Sequence, residues 1–600
     1  MKTIAIAANL LLVVAAIGFG NLLHSLIPKS FSRLDRIVLI LLGGLGLLGT
    51  ILFCVGQVWF TRSAVVLVLL LGVLLSLRPL STAIRDWRSV LAELSIPAIP
   101  AAIALFVILL TAVGGLALPT GDTNDDAIAY HYLGPKVWLQ QGVIRPVPDE
   151  IQTYFPVVVE AQYAALMSLG GQRAPGFFAV IGLGSLLLTA ASLAMRMGLD
   201  PTGAWWAAAL VAVMPTIYRG AYGGFLDALF AAFVLACARI AFDAEQPGHF
   251  ALLGIFCAIC MGTKYTGIIC WVLLVPCSFL VATWAHRRGA SFLLKWLGAS
   301  CAVAIALASP FYLRNWIMSG TPMYPAPPAL LKLFTPNYLQ PAAIDGLVRA
   351  MNLDRQGMGG GIVNFLLLPF HLTYHTANFR GAGGIGLVPL ALGPFGIIAR
   401  RRDPFAMGLF LFAVLQVGAW FATAQVARYM IHVYVIGAIF GVIGWSYAVK
   451  TASRNGRILS QAVVAISILY GFWMITASRI EDVRAAISPS FEAKRWDRET
   501  ADAASFNYIN HELSVKKVLI LNGQIAAYFI DKPYLKPFGR WGEQTLGATN
   551  LREVLSLLPG LHATHILDVR NEDGNFALPE DPSGLTLVFE HGDQRIYRID

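Results

Sequence analysis

Asp122-Thr-Asn-Asp125-Asp126-Ala-Ile-Ala-Tyr130-His131 follows directly on an apolar run from Ala98 to Leu118 that is long enough to cross a bilayer. Three carboxylates lie within five residues, and a Tyr-His pair comes next. Acidic side chains fixed where a span leaves the membrane are placed for acid/base or metal chemistry on a lipid-borne substrate. The fold reading therefore starts from one question: whether the rest of the chain is also membrane-embedded.

It is. The chain has 600 residues, 57% hydrophobic and 13% charged, where a soluble globule carries about 25% charge. The apolar residues fall in runs of about 20, the length a helix needs to span ~30 Å of hydrocarbon. Spans are predicted at 3–23, 36–55, 60–77, 98–118, 176–195, 203–218, 224–242, 250–266, 268–285, 292–310, 383–399, 404–422, 429–448 and 458–477. The expected fold is a polytopic α-helical membrane protein with about fourteen transmembrane helices. The run from Thr3 to Leu23 has one lysine before it and no clear small-x-small cleavage site, so it reads as a retained helix and not as a signal peptide.

The net charge of +10 does not imply nucleic-acid binding, because the basic residues sit in short loops that set orientation. Lys29/Arg33/Arg36, Arg78/Arg85/Arg88, His286/Arg287/Arg288, Arg400/Arg401/Arg402 and Lys450/Arg454/Arg457 all fall on one side, the expected cytoplasmic side. Arg62 is the exception. Three polar stretches then share the outer side: 119–175, 311–382 and everything after about 478. The expected location is the inner (plasma) membrane, with the active site and the C-terminal domain on the periplasmic or extracellular face.

The domain reading is 1–97 as three additional N-terminal helices, 98–477 as the catalytic membrane core and 478–600 as a soluble external α/β domain. In that last region 516–522 and 563–569 read as buried strands. Residues 585–590 and 594–599 bracket His591-Gly-Asp593, a hairpin signal. Helical patterns cover 501–513 and 550–558. All seven cysteines lie in apolar stretches, so Cys257-x-x-Cys260 reads as small buried membrane residues, and the C-terminal region has no disulfide framework.

Candidate functional residues gather at the outer ends of separated spans. If Asp126 opens a helix, its carboxylate meets the positive end of the backbone dipole, and Tyr130 lies four residues on, on the same face. Lys136, Trp138 and Gln140 continue an amphipathic helix suited to the bilayer surface. Glu160 lies in a further amphipathic stretch, Phe155 to Tyr163. Asp227, after Gly223-Gly224-Phe-Leu, needs a partner or a purpose beside an apolar helix. Lys264-Tyr265 ends another span, Pro310-Phe-Tyr-Leu-Arg314-Asn315-Trp316 opens the second large loop, and Arg428 begins a late span. Lys264, Arg314 and Arg428 are the cations able to hold a phosphate. His371 and His375 share a possible helical face without a third ligand and read as structural. The Gly357–Gly361 run lacks the lysine of a phosphate-binding loop.

This order of motifs resembles the integral-membrane glycosyltransferases of the GT-C fold that use polyprenyl-phosphate sugars, such as the dolichyl-phosphate-mannose–protein mannosyltransferases and the aminoarabinose transferases. The resemblance runs from about Ala98 to the end, and rests on Asp126-x-x-x-Tyr130-His131 with Trp138-Leu-Gln140-Gln-Gly142, Phe225-Leu-Asp227, Lys264-Tyr265, Pro310 to Asn315 with Gly320-Thr-Pro-Met-Tyr-Pro325, Arg428-Tyr429 and the C-terminal α/β region. It implies a hexosyl- or pentosyltransferase with a lipid-phosphate-sugar donor and a lipid, glycan or protein acceptor. Asp126 would be the base, with Asp125 as the adjacent alternative. Asp227 would be the second acidic residue, with Tyr130, His131, Glu160, Lys264, Tyr265, Arg314 and Arg428 around the substrates. No cofactor is assigned. A divalent cation is left open, with Asp126 and Asp227 as its ligands. A transporter or flippase for lipid-linked saccharides is the first alternative and a polysaccharide polymerase or ligase the second; the chain shows no repeated halves of the transporter kind.

Overall fold

Apolar segments in hydrocarbon must satisfy their backbone N–H and C=O groups internally, which leaves the helix as the available form for a single segment. The computed structural model describes residues 1–85, 95–120, 126–147, 149–285, 289–324, 357–381, 383–499, 503–521, 526–537, 551–569, 578 and 582–600. Among these, nine helices are long and apolar enough to cross a membrane: Lys2–Asn21, Arg33–Gly56, Arg62–Pro79, Ala174–Arg196, Thr266–Trp284, Ser291–Ser319, Pro404–Ala422, Ala427–Thr451 and Arg454–Ile487. Ala98–Gly114, Pro247–Thr263 and Leu387–Arg400 are apolar but shorter. Asp122, Asp125, the polar link at 86–94, the basic group at 286–288 and Pro325 lie outside the described residues.

Several expected boundaries move, each for a local reason. The expected span 203–218 is two helices, Pro201–Ala212 and Pro215–Arg219, because Pro215 has no N–H to continue the first and starts the second. Pro310 does not open a loop. The helix Ala290–Ser319 runs through it and ends at Gly320, whose φ of +77° suits a residue without Cβ. Arg314 and Asn315 are therefore helical residues. The last long helix, Arg454–Ile487, continues past the expected membrane exit at 477 and turns at once into Pro489–Glu499.

Small residues let some of these helices touch backbone to backbone. A Cβ added to Gly444 would stand 1.9 Å from the Leu392 carbonyl oxygen, and one on Gly396 1.9 Å from that of Phe440. Gly444→Leu is therefore expected to separate Leu387–Arg400 from Ile431–Thr451 and to destabilise by at least about 1–3 kcal/mol. The check is the yield of monodisperse protein in detergent.

Two ion networks tie the helices together at opposite ends. At the end carrying the basic groups, Asp35 closes a reciprocal capping box with Ser32. It also accepts from Arg239 Nε at 3.0 Å and Nη2 at 2.9 Å. Arg239 further pairs with Asp243, which receives both Arg196 donors at 2.7 Å. The Arg239 guanidinium lies 3.7 Å from the Phe31 ring centroid. At the other end, Glu492 accepts from Arg173 and from the Leu118 N–H at 2.9 Å. Arg495 reaches Asp482 at 2.7 Å and Thr120 at 3.1 Å. The helix Pro489–Glu499 thus holds the chain on the N-terminal side of Asp126.

Beyond it stands a five-stranded sheet in the order β2-β1-β3-β5-β4, with β1 Val518–Leu521, β2 Tyr534–Leu535, β3 His565–Val569, β4 Leu585–His591 and β5 Gln594–Ile599. β1 pairs in parallel with β2 and β3, while β3–β5 and β5–β4 are antiparallel. β4 and β5 form the hairpin around Gly592, at φ +56°. The second strand of the sheet had no sequence signal, since Tyr534–Leu535 is only two residues long.

Candidate active site

Asp126 stands at the start of the turn Ala127–His131, which is a π-turn and not the α-helical turn expected from sequence. In an α-helix Tyr130 alone would lie over Asp126. The wider turn closes from residue i to i+5 and brings His131 round to the same side. The next helix, Leu133–Gln141, does not lie on lipid as expected: Trp138 is buried, and Lys136 Nζ donates to the Tyr528 carbonyl at 2.6 Å and pairs with Asp531 at 2.7 Å. It is covered by the C-terminal module.

The Asp126 carboxylate is paired with Arg428 Nη2, from the turn Ala427–Met430 ahead of a long helix. Arg428 Nε lies 3.6 Å from Asp227 Oδ2. Asp227 is the first residue of Asp227–Phe242 and is 3% exposed; its Oδ1 accepts from Lys264 Nζ at 2.5 Å. Lys264 is the extended residue that ends Pro247–Thr263, and its ammonium faces the Tyr429 ring at 5.1 Å. Four residues from four separated segments thus form an alternating row, Asp126–Arg428–Asp227–Lys264. Burial acts to raise the Asp126 carboxyl, but the charges of Arg428, His131 and Arg380 together with the Arg428 hydrogen bond outweigh it and hold the group below the usual carboxylate range.

His131 and Glu160 form a second, adjoining pair, Nδ1 to Oε1 at 2.7 Å. The Tyr130 ring lies tilted at 45° against that of His131 with centroids 4.1 Å apart. Burial, with the Asp126 charge, pushes the Tyr130 phenol well above its ordinary range, so it stays protonated.

Tyr265 and Arg314 are not part of this row. Arg314 Nη2 donates to the carbonyls of Tyr154 at 2.8 Å and Phe155 at 3.0 Å, and Asn315 Nδ2 to that of Tyr154 at 2.6 Å and to the Tyr265 hydroxyl at 2.6 Å. The Tyr265 hydroxyl donates to the Tyr324 carbonyl at 2.8 Å. Arg314 Nη2, one of the donors expected to fork a phosphate, is engaged on these carbonyls, while Nη1 is buried with no hydrogen-bond partner. The metal expectation meets a similar obstacle. The two carboxylates that would ligate a cation both face Arg428, and no group of three metal-binding side chains occurs among the described residues. Among the described residues Asp126 and Asp227 are committed to Arg428 and Lys264.

One buried acid gave no functional signal in the sequence. Glu150 and Lys536 are both 2% exposed and ion-paired, and the Tyr534 hydroxyl donates to Glu150 at 3.1 Å. The pair joins the first loop to the sheet. Burial raises the Glu150 carboxyl to about 7 against the opposing pull of Lys536. Because the folded value lies above the ordinary 4.5, the fold favours the neutral carboxyl: the stability it adds is fully present below about pH 4.5 and lost as pH rises through about 7. The total is about 3 kcal/mol. The expected result is a melting transition that falls between those pH values in the wild type and loses that slope in Glu150→Gln, measured by thermal unfolding.

Fold and site together define a polytopic helical membrane protein with an ion row at the end that carries the β-sheet module. No protein-family model matches the chain, and no curated protein does. Among solved structures the fold is similar to ArnT from Cupriavidus metallidurans. The apo form superposes with a TM-score of 0.52 at 13% identity, over 84% of this chain and 97% of that one. The form bound to undecaprenyl phosphate gives a TM-score of 0.50 at 13% identity, over the same 84% and 97%. The apo oligosaccharyltransferase of Archaeoglobus fulgidus gives 0.47 at 15% identity, over 78% of this chain and 69% of that one.

Proposed function

We propose that this protein is a membrane glycosyltransferase that moves a sugar from a polyprenyl-phosphate donor to a lipid, glycan or protein acceptor at the outer face of the inner membrane. A fold hosts many functions, so the reading rests on the site. The observation that carries it is the Asp126–Arg428–Asp227–Lys264 row: two carboxylates and two cations at one end of a helical bundle, beside a covering polar module. The ArnT structure with undecaprenyl phosphate supports a prenyl-phosphate ligand for this fold.

Asp126 serves as general base on the acceptor hydroxyl, a contribution of roughly 10²–10⁴-fold. The acceptor oxygen attacks the sugar's C1 from the face opposite the phosphate, and the configuration inverts. Lys264 and Arg428 stabilise the charge that grows on the leaving lipid phosphate. Asp227 holds both cations in place, and Arg314 with Tyr265 buttresses the loop turn. A lipid phosphate leaving group needs no nucleotide-binding domain.

The test uses purified protein in lipid nanodiscs with a radiolabelled polyprenyl-phosphate sugar and an envelope extract as acceptor. Transfer of label with release of polyprenyl phosphate is expected. In liposomes, movement of intact donor between leaflets with no new glycosidic bond would instead identify a flippase and overturn the reading.

A further inference from the structure

His131 and Glu160 carry more chemistry than substrate contact. Both are buried, 4% and 6% exposed, and they come from different elements, the end of the π-turn and the first turn of Val158–Gly170. A carboxylate on Nδ1 fixes the proton there and leaves Nε2 as the basic nitrogen. The hydrogen bond between His131 and Glu160 uses Nδ1 and Oε1, and Glu160 Oε2 is buried with no hydrogen-bond partner. Burying a carboxylate oxygen with an open valence is costly, and a packing role would be met by apolar side chains. A base oriented by a buried acid is the arrangement that activates proton transfer in unrelated enzymes.

The ion row supplies the reason for such a pair. Asp126 is bonded to Arg428, and a carboxylate in that state is a poor resting place for a proton. His131 shares the π-turn with Asp126 and acts on it electrostatically.

We propose that His131, oriented by Glu160, is a second catalytic residue that receives the acceptor's proton from Asp126. The step rests on the glycosyl-transfer reading. The acceptor O–H bond breaks as its oxygen bonds to the sugar's C1. The C1–O bond to the lipid phosphate breaks, and its electron pair leaves with the phosphate. The proton passes through Asp126 to His131 Nε2, and the imidazolium is neutralised by Glu160. Asp126 returns to its ion pair with Arg428.

The test compares wild type, His131→Gln, His131→Gly and Glu160→Gln in nanodiscs, all first shown to be monodisperse. Expected are a kcat about 100-fold lower in His131→Gln, an unchanged donor KM, and partial recovery of His131→Gly when imidazole is added. Glu160→Gln should lose about tenfold by the same weakening of the base. Wild-type kcat in His131→Gln overturns the proposal alone. So does a loss seen mainly as a higher donor KM without imidazole rescue, which assigns His131 to donor binding. No transfer by the wild type overturns the glycosyl-transfer reading and this step with it.

Discussion

Asp126→Asn is expected to lower turnover by about 10²–10⁴-fold while the protein still folds. Asparagine keeps the shape of the side chain and loses the ability to take a proton. The folding half of the expectation follows from the ion row. When Asp126 becomes neutral, Arg428 still has Asp227 at 3.6 Å, so no buried cation is stranded. The same reasoning makes Asp227→Asn the wrong probe of chemistry, because it leaves Lys264 without its carboxylate and Arg428 with one fewer. The measurement is label transfer by purified variants of matched yield and elution profile. Activity within threefold of wild type would move the base to Asp125.

Arg239→Leu is expected to produce the largest loss of stability, about 3–5 kcal/mol. Asp243 would keep Arg196, but Asp35, 3% exposed, would keep only the neutral donors of Ser192 and Ser32. An ionised group in that position has lost the one cation bonded to it. The loss includes the stacking of the guanidinium on Phe31. Unfolding in a detergent–denaturant titration measures the effect. Adding Asp35→Asn to Arg239→Leu should recover part of the loss, because the pair is then removed as a unit. If the single variant is as stable as wild type, the cluster is not what joins these helices.

The membrane character of the chain was legible because bilayer thickness sets the length of an apolar run, and Asp126, Asp227, Lys264 and Arg428 stood out because a charge in such a chain needs a partner. Which charge meets which was not legible. Asp126 and Arg428 are 302 residues apart, and only tertiary packing brings them together. The local setting of Arg314 was not legible either. An arginine four residues after a proline at a span end looks like a loop cation, yet Pro310 is accommodated within the helix and Arg314 Nη2 serves carbonyls of Tyr154 and Phe155. The π-turn had no signature at all, because one extra residue per turn leaves the apolar pattern of Ala127–His131 unchanged. Glu150 and Lys536 carry no signal in the sequence, because their burial depends on a sheet that docks from the far end of the chain.

That docking sets how this protein can be re-engineered. The polypeptide beyond Ile487 grips the Asp126 neighbourhood from both directions, through Glu492 and Arg495 upstream and through Asp531 and Lys536 downstream. A shortened protein ending at the last bundle helix would retain every member of the ion row and still lose the frame that aims the base. A chimera built to change acceptor choice should therefore exchange the sheet together with residues 118–150, as one inherited unit.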